Sequence, residues 1–431
     1  MPFNVFSLPF QITQSFVFVV GTIWSLLLCV KLWQDCPLQG MMRTQNKLPT
    51  IKQLYVEEVT VNQGSSEPEA DNRPKHLERK RGSSHGYEKI NVRNVSENLY
   101  KLAPNVFDGV PEEFLPQFRN PCWWSDKGHT SSDLKCLPYF CLAGMPKCGT
   151  TDVYFKLAKH PQIHSSCGKY RKGQLWWTRR RLGGTSLQKY VDCQSITIGK
   201  QLVKGSDPSI ITGDCSSPTF WENRNWRRFF PKEELGPPYL IADVIGTVLP
   251  KTKILITVRD PTERLLSDFH YMNQYKWDHD RGPSIFHKEV VNFLSRFNSC
   301  LADKQDNRTC AYDMQNILPV RGPIGLFSVY LRDWLKFLPR DHIKYFRMED
   351  MKKNCPLVLS QLFEFLQLRK LGSPALKRAC QLPVGNKHKK PYKPMLPETQ
   401  QLLREFYRPY NEELAQMLND QKYLWEDTQK T

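Results

Sequence analysis

The run Gly144-Met145-Pro146-Lys147-Cys148-Gly149-Thr150-Thr151 carries the most specific chemistry in the chain. Two glycines frame a lysine and lead into two threonines, a pattern that cradles an anion. Glycine lets the backbone wrap closely, amides at a helix start lack intrahelical partners, and Lys147 adds a full charge. The order differs from the nucleoside-triphosphate loop, in which the lysine follows the last glycine and a Ser/Thr behind it takes Mg²⁺. Here Lys147 precedes Gly149 and Thr150 stands in the usual lysine slot, which suits a single 5′-phosphate and calls for no metal. Far downstream, the segment Val258-Arg259-Asp260-Pro261 through Ser267-Asp268-Phe269 offers a second anion site. The planar fork of Arg259 and the hydroxyl of Ser267 together fit a phosphate monoester.

Both motifs need a strand ahead of them and a helix behind. The apolar run Tyr139 to Ala143 and the helical spacing from Asp152 to His160 supply these for the first, and the buried-strand run Ile254 to Val258 serves the second. Ser209 to Thr212 and His342 to Arg347 are further strand candidates. Helices are expected over Tyr239–Leu249, Ile324–Leu338, Pro356–Leu368 and Glu398–Leu418. Strands alternating with helices predict an α/β fold, a mostly parallel sheet covered on both faces. Ligands of such sheets collect at the carboxyl ends of the strands, where Lys147 and Arg259 both fall.

Three further groups could take part. Trp176-Trp177-Thr178-Arg179-Arg180-Arg181 combines indole surface with guanidinium groups, which suits a sugar chain bearing sulfates or uronates, so Trp176, Trp177, Arg179 and Arg180 are assigned to an acceptor groove. Gly385 to Pro394 is a basic, turn-rich loop containing Lys387, Lys389 and Lys390. Proton transfer from an acceptor hydroxyl calls for a carboxylate or histidine. Asp214, after the second strand candidate, is the first choice for that base and His164 the second.

The first loop, the Arg259 to Phe269 segment, and the block Tyr330-Leu331-Arg332-Asp333-Trp334-Leu335 through Tyr345-Phe346-Arg347-Met348-Glu349-Asp350 resemble the Golgi carbohydrate sulfotransferases over roughly residues 100 to 420. The resemblance implies a P-loop-like fold that uses 3′-phosphoadenosine 5′-phosphosulfate (PAPS). Pro146, Lys147, Cys148, Gly149, Thr150 and Thr151 would hold the 5′-phosphosulfate, Arg259 and Ser267 the 3′-phosphate, and Lys387, Lys389 and Lys390 a loop closing over the nucleotide. It also implies a sulfated galactosaminoglycan acceptor, with position 6 of N-acetylgalactosamine 4-sulfate in chondroitin or dermatan sulfate as the target. Family members commonly place a glutamate just ahead of an aromatic pair. This chain has Trp176-Trp177 but no carboxylate between Pro161 and Arg181. A homologue that binds donor or glycan without transferring is therefore the alternative reading, while a kinase or NTPase is disfavoured by the displaced lysine.

The 431 residues carry a formal net charge of +18, which points to an acidic partner such as a polyanionic glycan, an anionic membrane or nucleic acid. The apolar run Phe16 to Val30, extended by Ile12 and Leu32-Trp33, is long enough for one bilayer crossing, and no basic segment or small-residue cleavage site marks it as a removable leader. The expected layout is a tail (1–12), a transmembrane anchor (13–33), a polar flexible stem (34–100) and a catalytic domain (101–431). Lysines and arginines following the span favour a cytosolic domain. The sequons at Asn94 and Asn307, with 13 cysteines, favour the lumen and a type II Golgi protein, a location that excludes nucleic acid. Cys300 and Cys310, bracketing the second sequon, are the expected disulfide, with Cys148 a free thiol. The oligomeric state is not fixed by the sequence, and a homodimer is compatible with it.

Overall fold

The computed structural model describes residues 95–125, 130–165, 172–203, 205, 207–223, 225–273, 282–315, 317–383 and 393–426. The expected tail, anchor and most of the stem, the sequon residue Asn94, and Lys387, Lys389 and Lys390 lie outside the described residues. Among the described residues no helix is long and apolar enough to cross a membrane. Folded structure is present ahead of residue 101. Ser96 accepts the amide of Leu99 to cap helix α1 (Glu97–Leu102), which buries Leu99 and Leu102.

The elements that follow are the antiparallel pair β1 (Cys122–Trp124) and β2 (Leu134–Cys136), then β3 (Phe140–Gly144), α2 (Thr150–Leu157), β4 (Ile163–Ser165), α3 (Leu187–Val203), β5 (Ile211–Asp214), α4 (Ile241–Val248), β6 (Lys253–Val258) and α5 (Pro261–Asn273). The second half holds α6 (Pro283–Lys304), α7 (Asn307–Met314), α8 (Phe327–Trp334), β7 (Ile343–Arg347), α9 (Cys355–Phe365) and α10 (Pro397–Leu418).

The central sheet runs β4-β5-β3-β6-β7, and every pairing in it is parallel. β3 is apolar throughout because both of its faces are covered, as a central parallel strand requires. Phe140 and Leu142 pack on one side with Leu255, Val153, Tyr154, Leu359 and Leu362, so α2 and α9 cover that face. Cys141 and Ala143 pack on the other with Ile254, Ile256, Tyr190, Val244 and Tyr330, which places α3, α4 and α8 there. Gly213 of β5 stands opposite Phe140, and a Cβ on it would lie 2.2 Å from the phenyl ring, so only glycine admits that ring between the strands.

The chain leaves β3 toward β4 on one side of the sheet and leaves β6 toward β7 on the other. The carboxyl ends of β3 and β6 therefore flank a topological switch point, the position at which open α/β sheets take their ligands. Two expected helices have shifted bounds, the first starting two residues earlier than expected and the second three residues later. α2 begins at Thr150 because Gly149, at φ 80°, sets its cap, and α8 begins at Phe327 because Gly322–Gly325 forms a 3-10 turn around Pro323. The long helices α3 and α6 and the edge strand β4 have no counterpart among the expected elements.

Candidate active site

Adjacent pairing of β3 with β6 brings the two sequence motifs together. Phe140 stands opposite Lys253 and Gly144 opposite Ile256, so the loop after Gly144 emerges beside Thr257, Val258 and Arg259. Thr257 grips that loop at both ends: its carbonyl accepts the Met145 amide at 2.8 Å, and its hydroxyl donates to the Cys148 carbonyl at 2.9 Å. Between those clamps Lys147 sits at φ 68° and Gly149 at φ 80°. Left-handed residues stand on either side of Cys148, whose amide turns back onto the Met145 carbonyl at 3.3 Å, and a non-glycine residue held left-handed costs about 1–2 kcal/mol that the clamps must offset. Gly149 then leads into α2, whose first amides face the loop's hollow.

The charges around this hollow are mostly positive and come from three segments. Lys147 Nζ lies 4.2 Å from the ring centroid of Tyr271 on α5. One turn earlier on α5, the buried carboxylate Asp268 receives Nε and NH2 of Arg321 at 2.9 and 2.5 Å and stands 3.4 Å from Arg264, itself wholly buried. Burial would raise Asp268, but Arg321, Arg264 and Lys147 hold it below the usual carboxylate range. Burial pushes the Lys147 ammonium down; Asp268 opposes this, while Arg259 and Arg321 add to it. Three cations, Arg321, Arg264 and Lys147, thus share one buried carboxylate, which leaves the hollow with charge to offer an anion.

Arg259 does not pair with Asp260. Its NH2 reaches Glu263 one turn along α5 at 2.9 Å, a partly exposed contact worth about 1 kcal/mol or less. The Asp260 side chain accepts the Thr262 amide at 2.9 Å, and its own amide donates to Glu349 after β7 at 3.0 Å. The turn carrying Arg259 is thereby fixed from two sides. Ser267 lies two turns along α5 and is 9% exposed.

Several expected residues have other roles. Trp176 and Trp177 are 0% and 1% exposed, so their faces are not open to a sugar. Trp176 stacks on Tyr190 at 4.7 Å, and Trp177 donates to the Tyr190 hydroxyl at 3.2 Å; the pair is core, folded in by a π-helical turn over Trp176–Arg180. Arg179 is committed to the buried carboxylate Glu222 at 2.7 and 3.0 Å, leaving Arg180 as the exposed guanidinium of the run. Asp214 is 1% exposed and accepts from the Tyr190 hydroxyl at 2.9 Å and from Ser216. It anchors the segment entering the Trp pair instead of meeting an acceptor, and burial pushes its carboxyl up. His164 faces Pro161 and Asp207, toward the amino ends of the strands and away from the hollow.

Cys300 and Cys310 are bridged, as are Cys122–Cys136 and Cys355–Cys380, and Cys193 is also disulfide-bonded. Cys148 is a free, wholly buried thiol, pushed up to about 12 by burial. Asn307 is the first residue of α7, and the Thr309 hydroxyl of its sequon is buried against Asp306 at the helix cap.

Sequence reasoning did not reach Thr257, Asp268, Arg321 or Lys172. The first three act through partners remote in sequence, and their signal is only a hydroxyl at a strand end and an acid four residues after Arg264. Lys172 lies in the very stretch where a carboxylate was sought, and its ammonium reaches the hydroxyl of Thr151 at 2.6 Å.

The sequence matches the family described as sulfotransferase domain over residues 138–382. It is 31% identical to mouse carbohydrate sulfotransferase 15 over 396 residues, covering 77% of this chain and 69% of that one, and the same holds for the human counterpart. Among solved structures, a sulfotransferase from Alicyclobacillus acidocaldarius is similar with a TM-score of 0.41 and 15% identity, covering 66% of this chain and 96% of the other. The family match spans both strand ends that build the cationic hollow, and the protein belongs to the sulfotransferase family, among the carbohydrate sulfotransferases.

Proposed function

We propose that the protein transfers a sulfuryl group from PAPS to a hydroxyl of a glycosaminoglycan, the target being position 6 of N-acetylgalactosamine 4-sulfate in chondroitin or dermatan sulfate. The observation that carries this reading is the pairing of β3 with β6, which sets the Lys147 loop and Arg259 side by side at the switch point. A nucleotide phosphorylated at both its 3′ and 5′ ends needs two such anion sites within its own length. The amides at Gly149 to Thr151 and the ammonium of Lys147 would hold the 5′ end, and Arg259 with Ser267 the 3′-phosphate. The donor supplies an electron-poor sulfur that passes in line between two oxygens, so positioning and charge stabilisation carry most of the rate. Its bond to the 5′-phosphate oxygen breaks with the electron pair left on that oxygen, a bond to the acceptor oxygen forms, and the acceptor proton goes to solvent. The surplus positive charge of the protein suits a polyanionic acceptor, and its disulfides suit the lumen of the Golgi, where a membrane-anchored form would work.

Transfer of radiolabelled sulfate from PAPS to chondroitin 4-sulfate, followed by disaccharide mapping, tests the reading. Wild-type protein is expected to place label on position 6, and Lys147→Ala or Arg259→Ala to lower transfer about 100-fold or more. Binding of 3′-phosphoadenosine 5′-phosphate (PAP) without transfer to any galactosaminoglycan would instead make it a nucleotide-binding homologue.

A further inference from the structure

We infer that Lys172 is a second donor-site cation, which contacts the sulfuryl oxygens of the donor and not its 5′-phosphate. The inference rests on the PAPS reading above and adds a residue that neither glycine-rich motif contains.

The sheet order places the contact. β3 lies between β5 and β6, so the loop after β3 has two flanks. On the β6 flank stand Arg259, Asp268, Arg321 and Tyr271, and Lys147 leans that way, onto the Tyr271 ring. The nucleotide enters from this flank, with its 3′-phosphate at Arg259 and its 5′ end at the loop. Whatever extends past the 5′-phosphate continues toward the β5 flank. Lys172 approaches from there: its ammonium donates to Thr151 in the first turn of α2, and its charge acts on Asp214 and Cys215 at the end of β5.

The backbone that delivers Lys172 is fixed. A Cβ on Gly173 would lie 2.2 Å from the carbonyl carbon and oxygen of Cys215 and 2.4 Å from the Ser216 nitrogen, so residue 173 presses directly on the chain leaving β5. The Leu175 amide donates to the Ser216 hydroxyl at 2.9 Å, and Ser216 in turn donates to Asp214. A lysine one residue ahead of such an anchor is held near one place, which is what preorganised charge stabilisation requires. Its ammonium offsets negative charge on the non-bridging oxygens while the bond to the phosphate breaks and that to the acceptor forms.

PAP and PAPS differ by the sulfuryl group, so comparing them isolates the contact. Calorimetric titration of the full-length protein with each nucleotide, in the absence of acceptor, is done for wild type, Lys172→Met, Lys172→Gln and Lys172→Arg. The inference expects Lys172→Met and Lys172→Gln to bind PAPS at least tenfold more weakly while binding PAP within twofold of wild type. Lys172→Arg should recover most of the loss, and transfer to chondroitin 4-sulfate should fall in kcat. Equal weakening of both nucleotides would assign Lys172 to the 5′-phosphate and overturn the inference, as would unchanged binding of both. A wild-type protein that binds neither nucleotide would overturn the PAPS reading itself, an outcome distinct from either.

Discussion

Replacing Asp268 with asparagine keeps the shape of the side chain and removes a buried negative charge beneath the anion hollow. Asp268 is 1% exposed, receives two hydrogen bonds from Arg321 and stands beside Arg264, which is 0% exposed. The substitution strands two buried guanidinium groups, and breaking one partner of a buried pair costs about 3–5 kcal/mol. For a domain of this size that lowers the melting temperature by roughly 6–10 °C, at about 2 °C per kcal/mol. The pH dependence has a definite sign. Because the folded protein holds Asp268 below its unfolded value, its contribution is fully present above the ordinary carboxylate range and is lost as pH falls through the folded value. The gap between wild type and Asp268→Asn, read by guanidinium unfolding under non-reducing conditions, should therefore be widest near neutrality and shrink in acid. Lys147 also loses the neighbour that holds its ammonium up, so the alkaline limb of sulfate transfer should move to lower pH. Adding Arg321→Met should restore part of the stability. A variant within about 1 kcal/mol of wild type, with its alkaline limb unmoved, would show that the carboxylate does not organise the cations and would refute the reasoning.

Two further outcomes follow from packing. Gly173→Ala should destabilise the protein by at least about 1–3 kcal/mol, because the new methyl meets Cys215 backbone and not a side chain that can rotate away; a melting temperature equal to wild type would contradict the anchoring of this segment. Iodoacetamide at pH 8 should leave Cys148 unlabelled by peptide mapping and transfer undiminished, since the thiol is buried and pushed up to about 12, and rapid labelling of the native protein would show the loop to be open.

Much of the scaffold was legible because its signals are local. β6 falls where an apolar, β-branched run predicts a buried strand, β7 falls within the further candidate His342 to Arg347, and α4, α9 and α10 begin and end within a few residues of the expected helices. The Cys300–Cys310 bridge was legible from its short polar loop. The Trp176 to Arg181 run misled, because indoles beside guanidiniums look alike in sequence whether the rings line a groove or a core. Burial against Tyr190, in a helix that follows the run, decides between them. Asp214 misled for a similar reason. A strand-end carboxylate reads as available until its partners are known, and both of its oxygens are taken by Tyr190 and Ser216.

By itself the sequence determined a glycine-bounded lysine loop and an arginine–serine helix start, since amide geometry and charge at a strand-to-helix turn depend on a few consecutive residues. It also determined the α/β alternation that puts such turns at one edge of a sheet. Tertiary structure decided that β3 and β6 are neighbours, which brings the two motifs side by side at one edge of the sheet. It also decided which charges meet there. Asp268 under Lys147, Arg321 against Asp268 and Lys172 on Thr151 are contacts between segments remote in sequence, and only strand order and helix packing bring them within Coulombic reach.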